Sequence, residues 1–211
     1  MKYVDIHTHN QVSNSNKIVV RNLSLSDAEK FVDSDVSELI SVGIHPWSLD
    51  ILSDGWLEKM TKIADDKRIV MIGECGLDKN ISVLLDKQID VFIKHIALSE
   101  SLKKPLIIHC VRYFNELMAL KKQYKPKQKW IVHGFRGKPQ LAEQLLKAGM
   151  DLSFGEKFNP ESVISTPTNR LFVETDESNV PIEIIYEQIA DLKGCKTEDL
   201  IAGKMLLKIK I

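Results

Sequence analysis

The feature that most constrains this chain is the alternation of short apolar runs with longer amphipathic stretches. Such alternation is typical of βα units around a parallel sheet. Eight apolar runs predict strands at residues 3–6, 18–22, 39–43, 69–73, 106–108, 130–132, 151–154 and 171–175. Apolar spacing near 3.6 residues predicts helices over residues 54–65, 84–102, 114–123, 139–148 and 182–192.

Eight strands with intervening helices predict an α/β fold, a TIM-type (β/α)8 barrel. The length of 211 residues is near the lower limit for that fold, so we expect a compact or partly trimmed barrel. The same length predicts one domain over residues 1–211. Only the polar stretch 10–17 separates the first two strands. That leaves no room for the crossover helix that joins most parallel neighbours.

Charge and cysteine content narrow the function classes. Twenty-nine basic and twenty-nine acidic residues give a net charge of zero, so no global positive field gathers nucleic acid and any polyanion must be bound locally. Three cysteines, an odd number, indicate a reducing compartment, and we expect the cytoplasm. No apolar run predicts a signal peptide or a membrane span. Nothing indicates an obligate protein partner.

In five places an apolar run ends in residues that can bind a metal ion. Carboxyl ends of barrel strands meet at one mouth, where this fold places its catalytic groups. His7 and His9 are two residues apart and share a face of an extended chain. Glu174 and Asp176 also share a face, and Asp176, nearer the mouth, is favoured as the ligand. The predicted metal ligands are therefore His7, His9, Glu74, His109, His133 and Asp176.

Six ligands are more than one ion needs. Four neutral imidazoles and two carboxylates leave positive charge on two divalent ions for a hydroxide and an anionic substrate. The set therefore predicts a hydrolytic binuclear site with Mg, Mn or Zn, in which Glu74 could bridge the two ions.

Each of these residues alone has an ordinary structural interpretation. A single histidine is more often structural, and Asp176 could cap a turn. His95 lies inside a predicted helix and is assigned to structure. Cys75 and Cys110 each follow a proposed ligand, so strand alternation should turn them away from the ions.

The ordered motifs resemble those of the TatD family of metal-dependent hydrolases over nearly the whole chain. The matching segments are Asp5-Ile6-His7-Thr8-His9, Gly43-Ile44-His45-Pro46, Gly73-Glu74-Cys75-Gly76-Leu77-Asp78, Ile107-Ile108-His109-Cys110, Val132-His133-Gly134-Phe135 and Glu174-Thr175-Asp176. The resemblance implies a TIM-type barrel, with one ion on His7, His9, Glu74 and Asp176 and a second on Glu74, His109 and His133.

The resemblance also implies roles. Asp176 would orient or deprotonate the attacking water, Glu74 would bridge the ions, and His45 would line the substrate site or steady the leaving group. Family members resemble magnesium- or manganese-dependent deoxyribonucleases that act from the 3′ end of a phosphodiester substrate, such as single-stranded DNA. Some relatives are linked instead to aminoacyl-tRNA deacylation.

Departures from the family pattern concern substrate recognition. Trp47 follows His45-Pro46 where some members carry another histidine, and Val111 replaces a common arginine, with Arg112 next. Arginine can bind phosphate through two hydrogen bonds, so Arg112 is the first choice for a substrate contact. Other cations after strands are Lys79, Arg136, Lys138 and Lys157. Phe135 or Trp47 could stack on a base, although packing is the commoner role of such residues.

The predicted function is a divalent-metal-dependent phosphodiesterase, a deoxyribonuclease of the 3′ exonuclease type. Two alternatives remain open: an amidohydrolase-like ester or amide hydrolase, including aminoacyl-tRNA deacylation, and a metal-stabilised barrel that binds without catalysis. Many amidohydrolases carry a carbamylated lysine where this chain has Glu74 at the end of the fourth strand.

Overall fold

The computed structural model describes residues 3–10 and 17–208. Its strands are β1 Tyr3–Thr8, β2 Lys17–Leu23, β3 Leu39–Val42, β4 Ile69–Asp78, β5 Leu106–Val111, β6 Trp130–Val132, β7 Asp151–Phe154 and β8 Leu171–Val173. Its α-helices are α1 Leu25–Val32, α2 Trp56–Ala64, α3 Leu85–Leu102, α4 Phe114–Tyr124, α5 Pro139–Lys147, α6 Pro160–Ser165, α7 Ile182–Lys193 and α8 Ala202–Leu206. Short 3₁₀ turns cover Pro46–Ile51, Thr168–Arg170 and Thr197–Asp199.

The eight strands follow one another in chain order in a single sheet. Neighbours pair in parallel, as in β1 with β2, β3 with β4, β4 with β5, and β7 with β8. A parallel bridge between Thr8 and Asp176 joins the end of β1 to the segment that follows β8. Parallel strands in chain order with helices between them define the (β/α)8 class.

All eight predicted strands and all five predicted helices are present; β6 and β7 have the predicted bounds, and the ends of the other elements are shifted. The largest shift is in β4, which continues to Asp78 instead of ending at Gly73. The strand runs very close to β5, because a Cβ atom at Gly73 or Gly76 would overlap a backbone carbonyl of β5.

Helices α1, α6 and α8 were not predicted. They have 8, 6 and 5 residues, too few for a helical repeat of apolar residues to be recognised. A local signal does precede α1, because Ser24 Oγ accepts the Asp27 N–H at 3.2 Å and Ser is a preferred N-cap residue. Within the polar stretch 10–17, residues 11–16 lie outside the described part of the chain.

The chain forms two compact units, the first Met1–Arg21 with Val132–Ile211 and the second Asn22–Ile131. The first unit contains β1, β7 and β8, and helix α7 packs there through buried Ile182, Ile185 and Ile189. Their spacing of three and four residues places them on one face of the helix. The hydroxyl of buried Tyr186 donates to the Val4 carbonyl at 3.0 Å. These contacts fix β1, which carries His7.

The second unit contains β3, β4 and β5, covered by α2 and α3. Phe92 and Ile96 of α3 are buried, and the Phe92 ring lies 5.3 Å from the Trp130 ring. Arg68 donates to the Val32, Ser34 and Val36 carbonyls at the end of α1. The prediction of a single domain over residues 1–211 stays a prediction.

Candidate metal centre

In the first unit, the segments that end β1, β6 and β8 bring together His7, His133 and Asp176, whose ligand atoms lie within 4.8 Å of one another. We call these three residues the first group. Asp176 Oδ1 lies 3.8 Å from His7 Nε2 and 3.6 Å from His9 Nε2. The His7 ring is 4.4 Å from the His133 ring. Four of the six predicted ligands therefore lie together in this unit.

Backbone pairing sets the position of Asp176. Its N–H donates to the His7 carbonyl at 3.0 Å, and its carbonyl accepts the His9 N–H at 3.0 Å and the Thr8 hydroxyl at 3.0 Å. Its φ of 55° is left-handed, a conformation in which aspartate is enriched among non-glycine residues. The main chain therefore holds this carboxylate beside the two histidines that end β1.

Glu174 supports the first group from behind. Its side chain is fully buried, and its Oε1 accepts the Gly134 N–H at 2.6 Å and lies 3.4 Å from His133 Nδ1. Burial alone would raise the pKa of Glu174, but the hydrogen bond and charge of His133, with further contributions from His7 and Ser153, lower the pKa overall. An ionised carboxylate here fixes the orientation of the His133 ring.

Asp5 supports the strand that carries His7. Its carboxylate accepts the Thr175 N–H at 3.1 Å and the Thr175 hydroxyl at 2.6 Å, which ties β1 to the segment after β8. Burial is the largest effect and raises the pKa of Asp5 to about 7.

In the second unit, His45, Glu74 and His109 offer ligand atoms within 4.8 Å of one another. We call them the second group. Glu74 Oε1 lies 3.1 Å from His45 Nε2 and 3.0 Å from His109 Nδ1. Glu74 is only 5% exposed. His45, predicted as a substrate contact, therefore stands among atoms that could hold an ion, and the bridging role of Glu74 stays a prediction.

Asp78 is a candidate site residue that the sequence analysis did not single out. Its Oδ2 lies 2.9 Å from His109 Nε2 and accepts the Trp47 indole N–H at 2.8 Å. Burial alone would raise the pKa of Asp78, but bonds from Trp47, the Asn80 N–H and His109 lower it overall. Both ring nitrogens of His109 therefore face a carboxylate, Nδ1 facing Glu74 and Nε2 facing Asp78, and either nitrogen can carry the ring hydrogen.

A signal for Asp78 was present in the sequence. In an extended strand, residues two and four apart share a face, so Glu74 and Asp78 project from the same side of β4. Because β4 continues beyond the predicted end at Gly73, the alternation extends to Asp78. Glu174 was weighed only as an alternative ligand to Asp176, although the structure gives the two residues different surroundings.

Both groups have the chemistry that a divalent cation needs. Imidazole nitrogens and carboxylate oxygens are ligands for zinc and manganese, and carboxylates also suit magnesium. Their convergence within 4.8 Å in each group fits one ion per group. Neither Cys75 nor Cys110 belongs to these two groups, and the Cys75 sulfur faces the Ile107 carbonyl at 3.9 Å.

His95 has a structural environment, in agreement with its predicted role. It is fully buried in α3, its Nδ1 lies 2.8 Å from the Val91 carbonyl, and its Nε2 accepts the Ile44 N–H at 2.9 Å. Burial lowers the pKa of His95 to about 4. The ring is therefore neutral near pH 7 and holds the residue that precedes His45.

The structure separates the candidate substrate residues by exposure. Arg112 is exposed directly after β5, with a left-handed φ of 63°. Lys79 is exposed after β4, with its Nζ 5.8 Å from the centre of the Tyr113 ring. Phe135 is 2% exposed and cannot offer a ring face to a ligand, whereas Trp47 is 68% exposed. Arg136, Lys138 and Lys157 are also exposed.

The sequence matches the family described as TatD related DNase over residues 5–202. A metal-dependent hydrolase of Buchnera aphidicola is 33% identical over 176 residues, which cover 77% of this chain and 66% of that protein. The 3′-5′ ssDNA/RNA exonuclease TatD of Erwinia amylovora is 26% identical over 194 residues, covering 79% and 74%. The matched regions thus span about two thirds to three quarters of these relatives.

Solved structures agree with the fold. YjjV, a TatD homologue of Escherichia coli, superimposes with a TM-score of 0.82 at 18% identity, over 98% of this chain and 95% of that one. A TatD family hydrolase of Entamoeba histolytica gives a TM-score of 0.78 at 16% identity, over 100% and 98%. The predicted α/β TIM-type barrel is confirmed.

The chain belongs to the TatD-related DNase family, a family of metal-dependent hydrolases. The resemblance identified from the ordered motifs is therefore confirmed. Among the described residues, no helix combines the length and the apolar character that crossing a bilayer requires.

Proposed function

We propose that this protein is a divalent-metal-dependent phosphodiesterase that removes nucleotides from the 3′ end of single-stranded DNA. The observation that carries the proposal is the presence of two groups of imidazole and carboxylate donors, each converging within 4.8 Å. A relative of 26% identity is named a 3′-5′ ssDNA/RNA exonuclease, which supports this substrate class. The cysteine content supports a cytoplasmic location.

The proposed ligands are the six predicted residues, with His45 beside Glu74 and His109. Two divalent ions, Mg, Mn or Zn, would supply a bound water of lowered pKa and polarise the phosphodiester. Glu174 and Asp78 keep the His133 and His109 rings in place, because each carboxylate faces one ring nitrogen.

Asp176 is the proposed general base. Its side chain is 28% exposed and stands 3.6 and 3.8 Å from the nearest imidazole nitrogens, beyond ordinary hydrogen-bond length. The carboxylate therefore keeps the capacity to orient a water and accept its proton. Arg112, exposed after β5, is the proposed phosphate contact, because its guanidinium can donate two parallel hydrogen bonds.

Hydrolysis by metal-stripped protein tests the proposal. The substrate is a single-stranded oligodeoxynucleotide labelled at its 5′ end, and magnesium, manganese or zinc is restored separately. We expect metal-dependent shortening from the 3′ end, lost in Asp176→Asn and kept in Asp191→Asn, which makes the same change on the exposed side of α7. Protein that binds these ions but leaves the oligonucleotide intact would refute the proposal and direct attention to ester and amide substrates.

A further inference from the structure

We propose that Trp47 is a stacking platform for an unpaired nucleobase of the substrate, an inference that rests on the proposed function. The ligand class is a single-stranded oligonucleotide whose phosphate lies at the second group. Four observations support this proposal: the exposure of Trp47, its fixed orientation, the rings that neighbour it, and the cations that follow β4 and β5.

Exposure distinguishes Trp47 from the other tryptophans of the chain. Of the three, Trp56 is 8% exposed and Trp130 is fully buried, whereas Trp47 is 68% exposed. Burial of a large aromatic side chain contributes substantially to the stability of a protein. Because most of the Trp47 side chain is exposed, most of that contribution is absent in the free protein. A ligand with a flat apolar surface would recover it.

The indole is held in a fixed orientation although it is exposed. Its N–H donates to Asp78 Oδ2 at 2.8 Å, and Asp78 is itself only 2% exposed and accepts the Asn80 N–H at 2.8 Å. The Trp47 main-chain N–H also donates to His45 Nδ1 at 3.2 Å. A ring fixed before binding loses little conformational entropy when a ligand arrives.

The neighbouring rings approach Trp47 at steep angles. The His45 ring lies 5.0 Å away with an interplanar angle of 87°, and the His109 ring lies 6.3 Å away at 73°. Neither histidine is stacked parallel to the indole. Both belong to the second group, so the platform lies directly beside the atoms proposed to act on the phosphate.

Two exposed cations, Lys79 after β4 and Arg112 after β5, could bind the phosphates of a nucleotide. Lys79 follows Asp78 directly, and its N–H donates to the Val111 carbonyl at 3.0 Å, so Lys79 and Arg112 follow paired ends of β4 and β5. A nucleotide presents a phosphate and a flat base on one residue. Proteins that bind single strands combine such cations with exposed aromatic rings.

Tryptophan fluorescence tests the platform directly, because Trp47 is the one exposed tryptophan. The measurement uses the Asp176→Asn variant, because this substitution prevents turnover. Magnesium is present, and the probe is a pentameric oligothymidylate. The matched probe has the same phosphates but abasic sugars. We expect the base-bearing probe to quench the fluorescence and the abasic probe to leave it unchanged and to bind about tenfold more weakly, the range expected for one stacked base.

Variants of Trp47, made in the Asp176→Asn protein, separate stacking from an effect through Asp78. Trp47→Leu should weaken binding of oligothymidylate about tenfold and leave binding of the abasic probe unchanged. Trp47→Phe retains an aromatic ring without the N–H donor and should keep most of the affinity, measured by fluorescence anisotropy of a labelled probe. Ile51→Ser, an exposed apolar residue of the same turn at 85% exposure, is the control and should bind both probes normally.

Three outcomes would overturn the inference. Trp47→Leu could weaken the binding of both probes equally, or Trp47→Phe could bind oligothymidylate as weakly as Trp47→Leu. Either result would show that Trp47 acts by holding Asp78 in place. Wild-type protein that hydrolyses oligothymidylate while its Asp176→Asn variant binds both probes equally would remove the platform and leave the nuclease. Absence of both binding and hydrolysis would refute the inference and the proposed function together.

Discussion

The two groups of proposed ligands use the same residue types but differ in how tightly the side chains contact one another. In the second group, Glu74 lies 3.0 and 3.1 Å from imidazole nitrogens, and the neighbouring Asp78 lies 2.9 Å from His109 Nε2. In the first group, Asp176 stands 3.6 and 3.8 Å from the histidines. Glu74 and Asp78 are within hydrogen-bond distance of histidine rings. The backbone pairing of Asp176 keeps its carboxylate beyond that distance from the rings of His7 and His9.

This difference suggests a division of labour between the groups. A carboxylate without a short side-chain hydrogen bond can take a proton from water, whereas carboxylates bonded to rings fix ligand geometry. The backing residues differ as well, since Glu174 is wholly buried and Asp78 accepts a bond from an exposed tryptophan. We therefore propose proton transfer for the first group and substrate placement for the second.

The largest expected effect comes from Asp176→Asn. Loss of a general base lowers turnover by about 10³-fold, while substrate binding changes little because the amide occupies the same space. Steady-state kinetics with a saturating oligonucleotide measures both quantities, and Asp191→Asn is the control. Equal losses in kcat and in substrate affinity would show that Asp176 acts as a structural residue.

The backing carboxylates give the next largest effect. Glu174→Gln and Asp78→Asn should each lower metal affinity by about 10- to 100-fold, the usual cost of removing an outer hydrogen-bond partner from a ligating histidine. Calorimetric titration with manganese measures the affinities. If each variant weakens the binding of one ion only, each carboxylate supports the ligands of its own group. If both variants bind manganese like the wild type, neither carboxylate orients a ligand.

His95 provides a contrast, because it belongs to neither group and is fully buried. Its folded pKa of about 4 lies below the ordinary value of 6.5, so the unfolded chain binds the extra proton between these pH values. Its stabilising contribution is complete above pH 6.5 and is lost as the pH falls towards 4, by at most about 1.4 kcal/mol per pH unit.

His95→Gln tests this dependence, measured by urea denaturation of metal-free protein between pH 4 and 7.5. The free energy of unfolding of the wild type should exceed that of the variant most at neutral pH, and the gap should narrow on acidification. Protonation of the other histidines affects the free energy of unfolding of both proteins equally, so it cancels when the two are compared. A gap that is constant with pH would contradict a buried neutral His95.

The smallest expected effect comes from the exposed cations. Arg112→Ala should weaken phosphodiester binding by about 3- to 10-fold, as for one surface phosphate contact, and leave a small neutral ester unaffected. Lys157→Ala, the corresponding change after β7 in the first unit, should have less effect. If Lys157→Ala is the more damaging variant, substrate placement belongs to the first unit.

The fold class could be predicted from the sequence, because apolar periodicity is a local property, whereas the metal ligands stay a prediction. The short helices α1, α6 and α8 could not be recognised, since few turns leave little periodic pattern. The extension of β4 to Asp78 depends on close packing against β5, a tertiary effect. The pairing of Trp47 with Asp78 joins residues 31 positions apart, and nothing local in the sequence indicates it.

The proposed metal ligands are tested most directly by the anomalous scattering of manganese in crystals of the metal-loaded protein. We expect one peak bonded to His7 and Asp176 in the first group and another bonded to Glu74 and His109 in the second. Both peaks should be present in the wild type, and the peak at the second group should weaken in Asp78→Asn. Manganese bound elsewhere, or no peak at either group, would contradict the assignment of these residues as metal ligands.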